Sequence, residues 1–135
     1  MPFRRTAALI IAASALAGCG DAADPGRSAE IIVLSVDPVL YADGSPALVF
    51  LVENRSGVTV ESVAIEVDAR RDGRTVAHAV TQLSDVSPGE QVESDPAVFA
   101  TLDSHADYEC YRYRVRGYDG RARVLWDQSS DEACS

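Results

Sequence analysis

The chain has 135 residues, 47% of them hydrophobic, which is enough for one domain with a modest core. It carries 21 Asp and Glu residues against 12 Arg residues and contains no lysine, so its formal net charge is −9. An acidic surface repels the phosphates of nucleic acids and of anionic lipids, and this charge argues against nucleic acid as a partner.

The first clear pattern lies at the amino terminus. Arg4 and Arg5 precede an apolar run, residues 7–16, that contains only Ala, Leu, Ile and one Ser. Ten helical residues cover roughly 15 Å, about half the hydrocarbon core of a bilayer, so the run is too short for a permanent span. Its charge, its length and the small residues that follow predict a removable signal.

The sequence Leu16-Ala17-Gly18-Cys19 ends this run and resembles the lipobox of bacterial lipoproteins. The resemblance implies cleavage before Cys19, a diacylglyceryl thioether on its sulfur and usually an acyl group on the new amine. Such a protein is anchored to the membrane through the lipid, since each buried methylene contributes roughly 0.8 kcal/mol. Ordinary secretion with an incidental cysteine is the alternative.

The same resemblance predicts where the protein resides. Gly20, rather than aspartate, follows Cys19, which favours the outer over the inner membrane if the envelope is Gram-negative. We therefore expect a periplasm-facing protein of the cell envelope. Removal of Arg4 and Arg5 with the signal lowers the formal charge of the mature chain to −11.

The chain divides into three predicted parts. Residues 1–18 are the signal peptide, and residues 19–28 are the lipidated cysteine with a flexible tether rich in Asp, Ala, Pro and Gly. Residues 29–135 are predicted to form a β-sandwich domain.

Short β segments separated by turn residues make up this third part. The predicted strands are residues 31–36, 47–52, 58–68 with a bulge near Glu61-Ser62, 75–83, 91–99, 108–118 and 121–126. Seven or eight strands with a turn every eight to twelve residues are typical of an immunoglobulin-like antiparallel sandwich, and no long amphipathic helix is predicted.

A second resemblance covers residues 47–99. The order Val49-Phe50-Leu51-Val52-x-Asn54-x-Ser56, then Asp72-Gly73, then Ser87-Pro88-Gly89-Glu90, resembles the FxLYD-type immunoglobulin-like domains of prokaryotic lipoproteins. The resemblance implies the same sandwich and provides no catalytic residues.

Two cysteines remain once Cys19 is assigned to lipid. Cys110 and Cys134 are predicted to form a disulfide, which persists in an oxidising compartment. Closing this loop stabilises the fold by roughly 3.5 kcal/mol on the chain-entropy estimate. Metal binding by the two thiols is the weaker interpretation, because no histidine or third thiol lies nearby at ligand spacing.

The sequence around Asp119-Gly120 predicts the register of the last hairpin. A two-residue turn places Tyr118 opposite Arg121, so that Val115 faces Val124 and Tyr113 faces Trp126. Tyr111, Tyr113 and Trp126 then point into the core.

The same register places a group of arginines on the outer face: Arg112, Arg114 and Arg116, with Arg123 opposite Arg116. One interpretation is a surface salt ladder with Glu61, Glu66 or Asp68 from a neighbouring strand. The other is a binding site for an acidic protein partner or an envelope glycan anion.

The remaining polar and aromatic candidates are few. Tyr108 and Tyr118 are expected on the arginine face, where a sugar-stacking role is the alternative to packing. His78 is predicted to be a half-buried structural residue, and a metal site on His105 and Asp107 lacks further ligands at suitable spacing.

No catalytic, metal-binding or phosphate-binding motif is recognised. The sequence therefore predicts a non-catalytic binding or accessory module without a cofactor or metal. A small envelope hydrolase, a carbohydrate-binding domain using Tyr108 and Tyr118, and a purely structural envelope protein are the alternatives. A wide apolar cleft containing His105 would favour an enzyme, and a flat charged face would favour docking.

Overall fold

The computed structural model describes residues 29–134 and shows an all-β body. One short 3-10 turn, His105–Asp107, accompanies nine strands in these residues. The strands are β1 (Ile31–Leu40), β2 (Pro46–Asn54), β3 (Val60–Arg71), β4 (Arg74–Val86), β5 (Gln91–Glu93), β6 (Ala97–Val98), β7 (Cys110–Tyr118), β8 (Val124–Ser129) and β9 (Ala133–Cys134). No helix within the described range has the length and apolar character to cross a membrane. The predicted signal 1–18 and tether 19–28 lie outside the described residues.

Two antiparallel sheets pack face to face. The first has the order β1-β2-β5, with β6 also paired to β2; the second has the order β4-β3-β7-β8, with β9 also paired to β7. The predicted immunoglobulin-like sandwich is confirmed. Alternating residues of the central strands fill the space between the sheets, and among the largest fully buried side chains are Phe50, Leu48, Ile65 and Phe99.

The predicted strand 91–99 is divided into β5 and β6. Ser94 interrupts the ladder because its hydroxyl accepts a hydrogen bond from the Phe50 N–H and donates to the Asp95 carbonyl. Pro96, which lacks an N–H, follows directly and cannot donate to a ladder.

The irregularity predicted near Glu61-Ser62 is present, but it takes another form than a bulge. The β3–β4 ladder leaves out the pair Glu61–Asp85, where Asp85 has a φ of 54°, and because one residue is left out on each strand the register does not shift there. The buried positions change parity as predicted, since Val60 and Val63 are both fully buried. Gly117 leaves the space for Val60, because a Cβ there would lie 3.0 Å from Val60 Cγ1.

The predicted register of the last hairpin is also wrong. Tyr118 pairs with Val124 and Gly117 with Trp126, so the loop spans residues 119–123. The Asp119 carboxylate accepts hydrogen bonds from the Arg121 and Arg123 N–H groups and closes this longer loop. Val115 consequently faces Gln128, although Tyr111, Tyr113 and Trp126 still pack against the core, as predicted.

The body has two poles. The described chain enters at Ala29, whose N–H donates to the Leu125 carbonyl; this end, with the loops 54–60, 86–91 and 118–124, is termed the entry pole. The opposite end, termed the far pole, holds the β1–β2 turn, the β3–β4 hairpin and the loop before β7.

Candidate functional site

The predicted arginine face is the outer surface of the second sheet. Strand alternation directs Arg112, Arg114 and Arg116 outward, as expected from the sequence. Each guanidinium meets a carboxylate of a neighbouring strand: Arg112 Nε lies 3.6 Å from Asp68, Arg114 binds Asp127 and Arg116 Nη2 lies 2.5 Å from Glu66.

Strand register explains these partners. Asp68 is directly opposite Arg112, whereas Glu66 is opposite Arg114 and Asp127 is opposite Arg116. Arg114 therefore reaches diagonally to Asp127, which lies opposite Arg116, and Arg116 reaches diagonally to Glu66, which lies opposite Arg114. Diagonal pairs remain within reach of long side chains across an antiparallel ladder.

Three positive and three negative charges thus balance within this face. The hydrogen bonds from Arg114 are the main reason that the pKa of Asp127 lies below its usual value, and they raise the pKa of Arg114 in turn. A ligand anion would have to compete with these carboxylates. Whether the face binds an acidic partner stays a prediction.

Arg123 does not belong to this group. It lies in the loop before β8, where its Nε binds Asp119 Oδ2 at 2.7 Å. Bonds from the Arg123 and Arg121 backbone, with this side-chain contact, hold the pKa of Asp119 below its usual range. The expected position of Arg123 opposite Arg116 is therefore wrong, because the longer loop removes it from the ladder.

Tyr108 and Tyr118 do not share a face. The Tyr108 ring packs edge-on against Phe99, with centroids 5.4 Å apart, and belongs to the core margin, whereas Tyr118 remains on the outer side of β7. The expected position of Tyr108 on the arginine face is therefore wrong, and the alternative sugar-stacking platform of Tyr108 and Tyr118 is not assembled there. Tyr108 precedes β7, so the strand alternation used to place it does not apply there.

His78 lies on the outer face and is exposed, so the prediction that it is half-buried is wrong. Its side chain is 53% exposed, and Nδ1 lies 2.7 Å from Asp68 Oδ1. Val76 and Val80, which flank it on β4, are exposed too. Because His78 is on β4 and its partner Asp68 is on β3, this contact extends the row of charged pairs to a further strand.

A cleft opens where the edges of the two sheets meet at the far pole. It measures about 410 Å³ and is termed the Tyr111 cleft. Val36 and Pro38 from β1 and Leu48 from β2 form one wall, and Tyr111 from β7 stands opposite. The size and the largely apolar lining with few polar groups are typical of small-molecule sites.

His105 borders this cleft but has both ring nitrogens engaged. Nε2 donates to the Val39 carbonyl at 2.8 Å, since a carbonyl can only accept, and Nδ1 lies 2.6 Å from the Tyr108 hydroxyl. The imidazole thus connects the loop before β7 to the edge strand β1.

Asp107 serves the same loop as a cap. Its carboxylate accepts hydrogen bonds from the Ser104 and Asp103 N–H groups, and the Ser104 hydroxyl accepts from the Ala106 N–H. Across residues 29–134 no group of three or more His, Cys, Asp or Glu side chains is arranged to hold a metal ion.

Cys110 and Cys134 form the predicted disulfide, with an S–S distance of 2.06 Å. The bond joins β7 to the short strand β9, and Cys134 contributes to the wall of the Tyr111 cleft. The disulfide thereby fixes β9 beside the cleft.

The sequence did not reveal the cleft itself. Val36, Pro38, Leu48 and Glu109 line it, yet they come from separate segments that meet only in the folded sandwich. The sequence feature that could have indicated the cleft is the pair of aromatic residues Tyr108 and Tyr111 next to Cys110, which is predicted to form a disulfide.

Comparison of the chain with protein-family models, with curated proteins and with solved structures finds no match. The resemblance of residues 47–99 to FxLYD-type domains accordingly stays a prediction from the residues quoted for it.

Proposed function

We propose that this chain is a lipid-anchored lipoprotein of the bacterial cell envelope whose β-sandwich is a non-catalytic binding or accessory module. The lipobox ending at Cys19 supports the anchor. The disulfide supports an oxidising compartment, since such bonds persist outside the cytoplasm.

The position of the Tyr111 cleft is the observation that carries the binding role. The chain enters the body at Ala29, at the entry pole, whereas the residues that line the cleft lie toward the far pole. A fully extended tether of ten residues from Cys19 would span at most roughly 33–36 Å. An anchor attached at the entry pole would therefore leave the cleft uncovered and accessible to a partner.

The contacts of His105 favour binding over hydrolysis. A general base needs a ring nitrogen within reach of a substrate proton, and both nitrogens of His105 are already hydrogen-bonded within the chain. An apolar cleft beside a histidine is present, but the histidine serves to hold the loop to β1.

Photo-crosslinking in intact cells tests this proposal. A photoreactive amino acid replaces Leu40, which is 68% exposed at the far pole, and in a matched control it replaces Val80, which is 50% exposed on the outer face of the second sheet. We expect a discrete adduct from position 40 and none from position 80. An adduct only from position 80 would transfer docking to the arginine face, and no adduct from either position would contradict a protein partner at both surfaces.

A further inference from the structure

A second cleft, about 560 Å³ in volume, opens along the side of the sandwich where β1 and β8 are the edge strands. Its walls include Ile31 and Val33 from β1, Tyr113 and Val115 from β7, and Trp126 from β8; it is termed the Trp126 cleft. Apolar side chains of both sheets are thus reached between two strand edges.

The edge of β8 directs backbone hydrogen-bonding groups toward the side of β1. The Ser130 N–H donates to a carbonyl of β7, whereas the Leu125 carbonyl accepts a hydrogen bond from the first residue before β1, on the opposite side. Because the backbone groups of successive residues in an antiparallel strand point to alternate sides, both contacts place the N–H and C=O of Asp127 and Ser129 on the side away from β7. No strand within residues 29–134 pairs with that edge.

β1, across the cleft, is the poorer edge for the addition of a strand. Its register is irregular between Val33 and Ser35, and Pro38 has no N–H to donate. Residues 126–129 of β8 contain no proline, and their register with β7 is continuous. An additional strand therefore finds its partner groups on β8.

The Trp126 ring carries a buried donor that lacks an acceptor. Its Nε1 is buried and has no hydrogen-bond partner in the described part of the chain. A buried N–H left unpaired is costly, and an indole nitrogen can only donate. The ring lines the cleft, so an occupant with carbonyl groups, as every peptide has, brings acceptors to this wall.

Two carboxylates border the Trp126 cleft. Glu30 precedes β1 at the entry pole, and Asp131 follows the end of β8. No arginine or histidine lines the cleft, and within residues 29–134 neither carboxylate has an ion-pair partner. The cleft consequently combines apolar walls and an unpaired strand edge with negative charge at both ends.

We propose that the Trp126 cleft binds an extended peptide segment of a partner protein, which adds to β8 as an antiparallel strand. Alternate apolar side chains of the peptide lie against Tyr113 and Trp126, and basic residues lie near Glu30 and Asp131. Strand addition of this kind takes its affinity from main-chain hydrogen bonds and its specificity from alternate side chains. The site is separate from the Tyr111 cleft, so the inference goes beyond the proposed function.

The probe is the peptide Lys-Thr-Val-Thr-Val-Thr-Lys, blocked at both ends and added to the full, lipidated chain in nonionic micelles. Trp126 is the single tryptophan of the chain, so its selectively excited fluorescence reports on this cleft. We expect a saturable change with a dissociation constant on the order of 0.1–1 mM. Serine in place of both valines should weaken binding at least about tenfold, and glutamate in place of both lysines at least about fivefold.

Two methylated forms of the probe identify the edge. Residues directly opposite in an antiparallel pair share one face, so the outward threonines pair with Asp127 and Ser129 and direct their N–H groups to β8. N-methylation of the three threonines should weaken binding at least about tenfold, and N-methylation of the two valines less than about threefold. A loss confined to the valine-methylated probe would contradict β8 as the edge.

Variants of the chain locate the site. Ser129→Pro removes an N–H that the β7–β8 ladder does not use, so it should abolish binding and change the melting temperature by less than roughly 5 °C. Should this variant not fold, the methylated probes decide alone. Glu30→Gln and Asp131→Asn should each weaken binding about twofold to threefold, whereas Glu93→Gln, an exposed position on β5, is the matched control and should not.

Three outcomes would overturn the proposal. They are no response to the unmethylated probe, equal affinity for all methylated and unmethylated probes, and binding that Ser129→Pro leaves unchanged in a folded chain. A fluorescence change that depends on protein concentration without peptide would assign the cleft to a second copy of the chain and also overturn it. The crosslinking result from position 40 decides the proposed function separately.

Discussion

The guanidinium of Arg114 holds the Asp127 carboxylate with two hydrogen bonds, from Nε to Oδ1 at 2.8 Å and from Nη2 to Oδ2 at 2.7 Å. Both residues belong to the second sheet, Arg114 on β7 and Asp127 on β8. Planar two-bond pairs of this kind are geometrically specific, but exposed examples add little to stability. The arginine face is therefore a region of balanced charge.

This pair predicts an acid-dependent contribution to stability. The pKa of Asp127 is lower in the folded chain, mainly because Arg114 donates to it. A carboxyl of this kind adds stability above its unfolded pKa and loses it as pH falls through the folded value. The stability difference between wild type and Arg114→Gln should be fully present at pH 7 and should decrease as the pH falls below about 4, toward the lower pKa of the folded state. Urea midpoints at pH 7, 5 and 3 measure it; a difference that grows on acidification would contradict this sign.

Asn54 is expected to be the most sensitive polar position. Its Nδ2 donates to the carbonyls of Val58 and Val86 at 2.8 and 2.9 Å, and its Oδ1 accepts from the Ser56 N–H and hydroxyl. Asn54→Ala removes the amide donor from the buried Val86 carbonyl and from the partly buried Val58 carbonyl, which keeps only a contact with the Ser56 hydroxyl, so we expect a loss of about 2–4 kcal/mol in unfolding free energy. Equilibrium urea unfolding measures this loss.

Ser56→Ala is the matched control for Asn54. It removes the hydroxyl contact but keeps both donors of Asn54, and should cost only about 1 kcal/mol. Equal losses in the two variants would show that the two carbonyl contacts contribute nothing.

Gly117 is predicted to reject a side chain. A Cβ there would lie 3.0 Å from Val60 Cγ1 and 3.6 Å from Trp126 Cβ, inside the core. Gly117→Ala should lower the unfolding free energy by about 1–3 kcal/mol through overpacking. Gly57→Ala, where a Cβ meets nothing within 4 Å, is the control. Thermal melting of both variants measures this loss, and an unchanged melting temperature for Gly117→Ala would contradict the close packing around Gly117.

Ala122 offers a stabilising substitution. Its φ of 61° lies in the left-handed region, where a Cβ costs roughly 1–2 kcal/mol that glycine avoids. Because glycine also loses more freedom on folding, Ala122→Gly should raise stability by about 0.5–1 kcal/mol. Ala42→Gly, in the β1–β2 turn, is the control and should not raise stability. A lower melting temperature for Ala122→Gly would contradict the loop conformation.

Alternation and turn chemistry made much of the fold predictable. Val63, Ile65 and Val67 alternate with polar or small residues, and a period of two fixes which face of β3 is buried. The outward direction of Arg112, Arg114 and Arg116 follows from the same period. The disulfide was predictable because only two cysteines remain after Cys19.

The failures arise where one side chain overrides the local pattern. The Asp119 carboxylate binds two backbone N–H groups and lengthens a loop that the Asp-Gly pair alone predicts to be two residues long. Ser94 similarly interrupts a strand through its bond to Phe50. The Tyr111 cleft depends on segments that are far apart in the chain, so no local pattern identifies it.

Mass spectrometry of the native protein tests the central claim most directly. Trypsin should release the peptide Cys19–Arg27 carrying a diacylglyceryl group on sulfur and an acyl group on its amine, with residues 1–18 absent. The Cys19→Ser chain should retain residues 1–18, carry no lipid and no longer be anchored in the membrane fraction through a lipid. A native chain with an unmodified thiol at position 19 would contradict the account.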